Sequence, residues 1–201
     1  QIRSSAASDV YKRQDYVLQS EKGALVSNLS SSRALADLAN DCGVDYHASA
    51  VGEVHVVAKM KEVNAVIGGE GNGGVILPAL HYGRDALVGI ALFLSHLAKE
   101  KISVSALKAR YASYVMDKKK IELSPSWDAD ALLAAVAKTF ADARVTTIDG
   151  VKIDFVDSWI HLRKSNTEPI IRLYGEAKTQ EKMADKINTI EAAIAAFVAS
   201  T

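Results

Sequence analysis

The chain has 201 residues, 49% of them apolar, which suffices for one ordinary domain or two small ones with a packed core. Its 24 Lys and Arg balance its 24 Asp and Glu, which excludes a gross attraction to nucleic acid or to an anionic membrane and leaves room for a local anion site. The single cysteine, Cys42, excludes an internal disulfide and a four-cysteine metal site, and with no signal-like apolar start the expected compartment is the cytoplasm.

Residues 1–14 carry no sustained apolar period and begin without Met, so we expect a disordered or foreign segment ahead of a truncated start. A strand is predicted at 24–27. Ser30, Ser31 and Ser32 then offer N-cap oxygens to a helix on which Leu35, Leu38 and Cys42 recur, ended by Gly43. Further on, 44–51 reads as a strand, 55–62 as a helix and 64–67 as a third strand. This alternation predicts a three-layer α/β unit with a mostly parallel sheet over 15–117, in which ligands sit beyond the carboxyl ends of the strands. Residues 85–98 form the clearest helix, with Asp85 at its start and Leu87, Ile90, Ala91, Leu94 and Leu97 on one broad face. Polar Ser95 and His96 interrupt this run, which is too short to span a bilayer.

After a helix at 103–110, Lys118, Lys119 and Lys120 read as a solvated connector or strand end, because no aromatic interleaving supports an anion site there. A smaller α+β unit is expected over 118–201. Ser124 to Trp127 is turn-like, and Leu132, Leu133, Val136 and Phe140 make a helical stripe. Val151, Ile153 and Phe155 alternate with Lys152 and Asp154 after an Asp149-Gly150 turn. Two more strands cover 159–163 and 170–176, and a last helix covers the sheet with Ile187, Ile190, Ile194 and Phe197.

Two loops stand out. Gly68-Gly69-Glu70-Gly71-Asn72-Gly73-Gly74 permits close backbone approach while leaving Glu70 and Asn72 as isolated polar contacts. Arg163-Lys164-Ser165-Asn166-Thr167-Glu168-Pro169 is a polar turn between two alternating apolar runs. Its guanidinium, two hydroxyls and amide suit the several acceptor oxygens of a phosphoryl group. Trp159, His161 and Arg163 share one strand face and Ile160 and Leu162 the other, so Arg163 projects with the turn without breaking the core pattern. Glu168 is expected to brace the turn, since a carboxylate facing phosphate would repel it. His47, His55, His81, His96 and His161 form no metal pattern, and for Arg84 a structural ion pair is slightly favoured over a phosphate-side or interface role.

Together the two loops resemble those of the alpha-D-phosphohexomutase family, over roughly residues 15–201. The first is similar to the family's sugar-reading Gly-Glu-x-Ser-Gly loop, with Asn72 in place of the serine and Gly74 where many relatives have histidine. The second is similar to its Arg-x-Ser-Asn/Gly-Thr-Glu-Pro phosphate loop. Glu53-Val54 departs from the aromatic-lysine pair common in relatives, so no lysine role is carried over.

The resemblance implies reversible 1-/6-phosphate interconversion on a hexose or hexosamine phosphate, through a phosphoserine and a sugar bisphosphate. It implies substrate contacts at Glu70, Asn72, Gly73, Arg163, Ser165, Asn166 and Thr167, and no catalytic or metal-ligating residue in this chain. The serine and the Mg2+ loop belong to the family's two N-terminal domains, whose motifs do not occur here, so these residues resemble the third and fourth domains and are expected to be inactive alone. Gly69-Glu70-Gly71-Asn72-Gly73-Gly74, followed by Gly83-Arg84-Asp85-Ala86-Leu87, resembles the phosphoglucosamine mutase subgroup. Glucose- and mannose-directed enzymes remain alternatives, as does a non-catalytic sugar-phosphate-binding module.

Overall fold

The apolar runs of the first half pair as a sheet because they are buried on both faces, as strands flanked by helices must be. The computed structural model describes residues 10–125, 127–165 and 167–199, and the chain divides after Ser113 into two units. In the first, β1 (Leu25–Asn28), β2 (Tyr46–Ser49), β3 (Ile67–Gly69) and β4 (Val75–Ile76) lie in the order β2-β1-β3-β4. β2 and β3 run parallel to β1, while β4 returns antiparallel to β3 with Gly69 opposite Val75. The sheet is therefore mixed, and the glycine loop is the connection that turns β3 into β4. Leu25, Val26, Ile67 and Ile76 are buried in it, with Val56 and Met60 of α3 (Glu53–Glu62) packed above.

Local chemistry sets the helix ends. α2 (Ala34–Cys42) stops at Gly43, whose φ of 65° is left-handed and lets its N–H reach back to the last carbonyls. Ser32 Oγ accepts from the Ala34 N–H at the start of that helix. α4 (Ala86–Glu100) is capped by Asp85, whose carboxylate accepts from the Val88 N–H at 3.0 Å, and α5 (Val104–Lys108) follows.

One expectation is corrected in this unit. Residues 10–14 are not disordered: α1 (Val10–Leu18) begins at Val10 and buries Val10, Tyr11, Val17 and Leu18. A window ending at residue 14 contains only the first half of that repeat, since the matching apolar pair stands seven residues on. Residues 1–9 lie outside the described residues. The apolar face of α4 is not its buried face. Leu87, Ile90 and Leu94 are 78%, 52% and 57% exposed, whereas Gly89 and His96 are buried. α4 packs on α1 through the opposite side, where His96 Nδ1 lies 2.9 Å from the Lys12 carbonyl and Gly89 lies beside Arg13.

The second unit is a five-stranded antiparallel sheet, ordered β5-β9-β8-β7-β6. Its strands are β5 (Val115–Glu122), β6 (Arg144–Thr146), β7 (Val151–Asp154), β8 (Ser158–Lys164) and β9 (Ile170–Ala177), and its helices α6 (Ala129–Thr139) and α7 (Gln180–Ala199). The unit starts four residues before the expected boundary because Val115 already pairs with Ala177. The three lysines are the middle of an edge strand rather than a connector, a placement that discourages edge-to-edge pairing.

Ile160, Leu162, Ile171 and Leu173 meet Leu132, Val136, Met183, Ile187 and Ile190 in one core. Trp159 and His161, on the other face of β8, are buried as well. That face is a polar layer: Trp159 Nε1 donates to Glu176 Oε1 at 3.1 Å, and His161 Nε2 donates to the Asp149 carbonyl at 2.6 Å. No helix among the described residues is long and apolar enough to cross a membrane.

Candidate functional site

The polar turn joins β8 to β9, so strand register decides which side chains stand beside it. Arg163 lies directly opposite Arg172, and Arg172 directly opposite Lys120, which sets three cations in a row across β8, β9 and β5. Like charges placed opposite one another in a ladder destabilise it unless something offsets them. Two carboxylates do so. Arg163 Nε pairs with the Asp149 carboxylate at 3.1 Å, and Glu168 takes Arg172 Nη2 at 2.7 Å and Lys120 Nζ at 3.1 Å.

Between the arginines the turn closes loosely. The Ser165 N–H donates to the Ile170 carbonyl at 3.0 Å, while Ser165 Oγ receives the Thr167 N–H and Arg172 Nη2 each at 3.4 Å. The two hydroxyls lie 3.5 Å apart. Ser165 and Thr167 are thus brought together near Arg172, and Asn166 lies outside the described residues. Glu168 braces the turn as expected. Lys164 is directed elsewhere, to Asp130 of α6 at 2.6 Å.

Arg172 is a residue that sequence reasoning missed. It stands inside an apolar run, and only the pairing of β8 with β9 places it opposite Arg163; its signal was an arginine at an alternate position of a strand leaving the turn. Burial pushes the neighbouring His161 down to about 4. It is therefore a neutral donor that holds the Asp149 backbone while the Asp149 carboxylate holds Arg163.

In the first unit the glycine loop closes on itself. The Glu70 N–H donates to the Gly74 carbonyl and the Gly73 N–H to the Glu70 carbonyl, both at 2.9 Å, and Gly73 has a φ of 102° that favours glycine. Asn72 Oδ1 accepts from the Gly74 N–H at 3.1 Å. The Glu70 side chain is almost fully buried, its Oε1 accepting from Asn28 Nδ2 at 3.2 Å and its Oε2 paired with Arg84 Nη1 at 3.1 Å. Arg84 also takes Glu53 at 2.7 Å through Nε and at 3.2 Å through its backbone N–H. Each partner responds: Arg84 holds the Glu53 carboxyl below its usual range, and Glu53 holds Arg84 above its own.

A cleft of about 630 Å³ opens beside this loop, lined by Glu53, Asn72, Gly73, Gly74, Arg84 and Asp85 among others. Hydroxyl-bearing ligands suit it, since carboxylate and amide groups stand at its wall above a glycine backbone. Among the described residues, no group of three or more His, Cys, Asp or Glu is placed to hold a metal ion.

Comparison with known proteins bears on both loops. Residues 6–114 match the family model described as phosphoglucomutase/phosphomannomutase, alpha/beta/alpha domain III, and residues 113–193 match that of the phosphoglucomutase/phosphomannomutase C-terminal domain. The match from residue 6 corrects the expectation that 1–14 lie wholly outside the family. A phosphoglucosamine/phosphogalactosamine mutase from Sulfurisphaera tokodaii is 33% identical over 83% of this chain and 37% of its own length. A phosphoglucomutase/phosphomannomutase from Thermococcus kodakarensis is 37% identical over 80% of this chain and 35% of its own. The chain thus spans little more than a third of the curated relatives it matches. A crystal structure of a phosphoglucomutase/phosphomannomutase family protein from Burkholderia thailandensis superposes with a TM-score of 0.79 at 26% identity, covering 98% of this chain and 42% of that one.

Proposed function

The chain belongs to the phosphoglucomutase/phosphomannomutase family, and from that premise we propose that it is the sugar-phosphate-binding part of a cytoplasmic phosphohexomutase. Arg163 and Arg172, with Ser165, Asn166 and Thr167, take the oxygens of a phosphoryl group. Glu70 and Asn72 accept and donate to sugar hydroxyls, and Gly73 admits the sugar close to the backbone. The whole protein interconverts the 1- and 6-phosphates of a hexosamine. A phosphoserine outside these residues gives its phosphoryl group to the sugar monophosphate, and the resulting bisphosphate returns its other phosphoryl group to the serine. This chain contributes position rather than bond-breaking: it holds the non-reacting phosphate and the ring while the opposite oxygen comes into line.

The observation that carries this reading is the opposed pair Arg163 and Arg172 beside two exposed hydroxyls. Each guanidinium engages a carboxylate at one edge and retains further N–H donors, the arrangement a multivalent anion would complete. Residue-resolved NMR titration of this chain with inorganic phosphate and with the 6-phosphates of glucosamine, glucose and mannose tests it. Saturable shifts at Ser165 and Thr167 with every ligand, and at Glu70 and Gly73 with the sugars only, are expected. A folded chain with no shift at Ser165 and Thr167 overturns the phosphate role.

The higher identity to the Thermococcus phosphoglucomutase/phosphomannomutase favours a second reading, in which glucose or mannose phosphate is the substrate. The order of affinities in the same titration separates the two.

A further inference from the structure

Arg84 forms the structural ion pair favoured for it, and does so with two partners in the first unit. Its guanidinium spans two carboxylates from different elements, Glu53 at the first residue of α3 and Glu70 in the glycine loop. One of these, Glu70, is 4% exposed, whereas the Arg84 side chain is 47% exposed and lines the cleft. The carboxylate's other oxygen is held by Asn28, whose own Oδ1 accepts from the Ser30 N–H and from Ser31 Oγ, each at 3.1 Å. Glu70 is therefore positioned from one side by a neutral amide anchored at the end of β1, and from the other by a single cation.

The seat of that cation is a missing side chain. A Cβ at Gly74 would lie 2.6 Å from Arg84 Cδ and 3.1 Å from its Cγ. Those atoms are the stem of the side chain rather than its tip, so a residue larger than glycine forces that stem or the loop to shift. Gly74 has no positive φ, so its smallness answers to Arg84 and not to the backbone. Position 74 and position 84 are thus sterically exclusive.

We propose that Arg84 is the positioning residue of the sugar-reading loop: lodged over Gly74, it ties Glu70 to Glu53 and fixes the Glu70 carboxylate for a hydroxyl pair of a hexose or hexosamine phosphate. The proposal rests on the sugar-binding reading of the glycine loop. An unpaired carboxylate buried beside a single amide turns away toward water and stops presenting two fixed acceptors.

Three variants of this chain test it, each titrated with glucosamine 6-phosphate and separately with inorganic phosphate. Arg84→Ala is expected to weaken the sugar phosphate about tenfold or more, the usual consequence of losing a charge-assisted contact, with phosphate-induced shifts at Ser165 and Thr167 unchanged. Gly74→Ala removes no charged group and is expected to reproduce that loss by unseating Arg84. Arg84→Lys, which keeps the charge and not the fork, is expected to fall between them and the parent chain. The Arg84 Nε proton supplies a ligand-free readout, protected from solvent exchange in the parent chain and unprotected in Gly74→Ala. Sugar-dependent shifts at Glu70 that persist unchanged in both Arg84→Ala and Gly74→Ala overturn the proposal and leave the sugar reading standing. A protected Arg84 in a parent chain whose Glu70 does not respond to any sugar phosphate overturns the sugar reading itself.

Discussion

In the glycine loop the Glu70 carboxylate is already held by its neighbours, whereas in the polar turn the two hydroxyls meet only at 3.5 Å and the cations are restrained from behind. The first loop is organised by burial and ion pairing within a few residues of tight glycine backbone. The second is organised by the ladder beneath it, since the pairing of β8 with β9 sets Arg163 against Arg172. A neutral ring of hydroxyls needs fixed acceptors, and a mobile dianion needs converging positive charge. The two loops therefore keep different things rigid: one its side chain, the other the strands that aim its side chains.

Acid should separate them most strongly. His161 is buried and neutral, pushed down to about 4, and it supports the Asp149 backbone that in turn holds Arg163. In the unfolded chain the imidazole titrates near its ordinary value, so between roughly pH 6.5 and 4 the unfolded state binds one more proton than the folded state. Unfolding free energy then falls as pH falls through that window, by about 3 kcal/mol in total. Both tryptophans, Trp127 and Trp159, lie in the second unit, so denaturant melts followed by tryptophan fluorescence report this unit. His161→Gln, which keeps a donor for the Asp149 carbonyl, should flatten the slope in that window. An unchanged slope would show that the acid sensitivity of the turn's support lies elsewhere. Glu53 and Asp85 beside the glycine loop are held below their usual range by Arg84 and by the Val88 N–H, so mild acid leaves those contacts ionised.

A smaller effect distinguishes the ligands. Arg163→Ala removes a charge-assisted contact worth about 2 kcal/mol, so inorganic phosphate and a sugar bisphosphate should bind about thirtyfold more weakly. A neutral hexose, which carries no phosphoryl group, should be unaffected. Isothermal titration with both ligand types measures this, and equal weakening of the two would reject the division of labour between the loops.

What could be read from the chain was whatever is local. Arg163, Ser165 and Thr167 suggested an anion site because they fall within five positions, and the glycines around Glu70 suggested a close approach for the same reason. Arg172 stayed hidden because its relation to Arg163 exists only through the register of two strands. Arg84 was visible as an ion-pairing residue, but its seat over Gly74 is a matter of volume that no spacing reveals. α4 misled for a related reason: periodicity finds the apolar face of a helix and is silent about which neighbour it meets, here α1 through Gly89 and His96.

The smallest expected effect is the sharpest test of the ladder. Lys164 follows Arg163 directly and carries the same charge, so a reading by composition alone would give both to the anion. Alternation along β8 sends them to opposite faces, and Lys164 reaches across the helix side of the sheet to Asp130, an exposed partner on α6. An exposed pair of this kind contributes about 0–1 kcal/mol, and its cation points away from Ser165 and Thr167. Lys164→Gln should therefore change phosphate affinity by less than about twofold, the residue of long-range attraction left after screening, and should barely move the melting midpoint. A loss as large as that of Arg163→Ala would mean that the turn gathers cations irrespective of strand face, and the contrast between a loop organised by burial and a turn organised by register would fail at its most direct point.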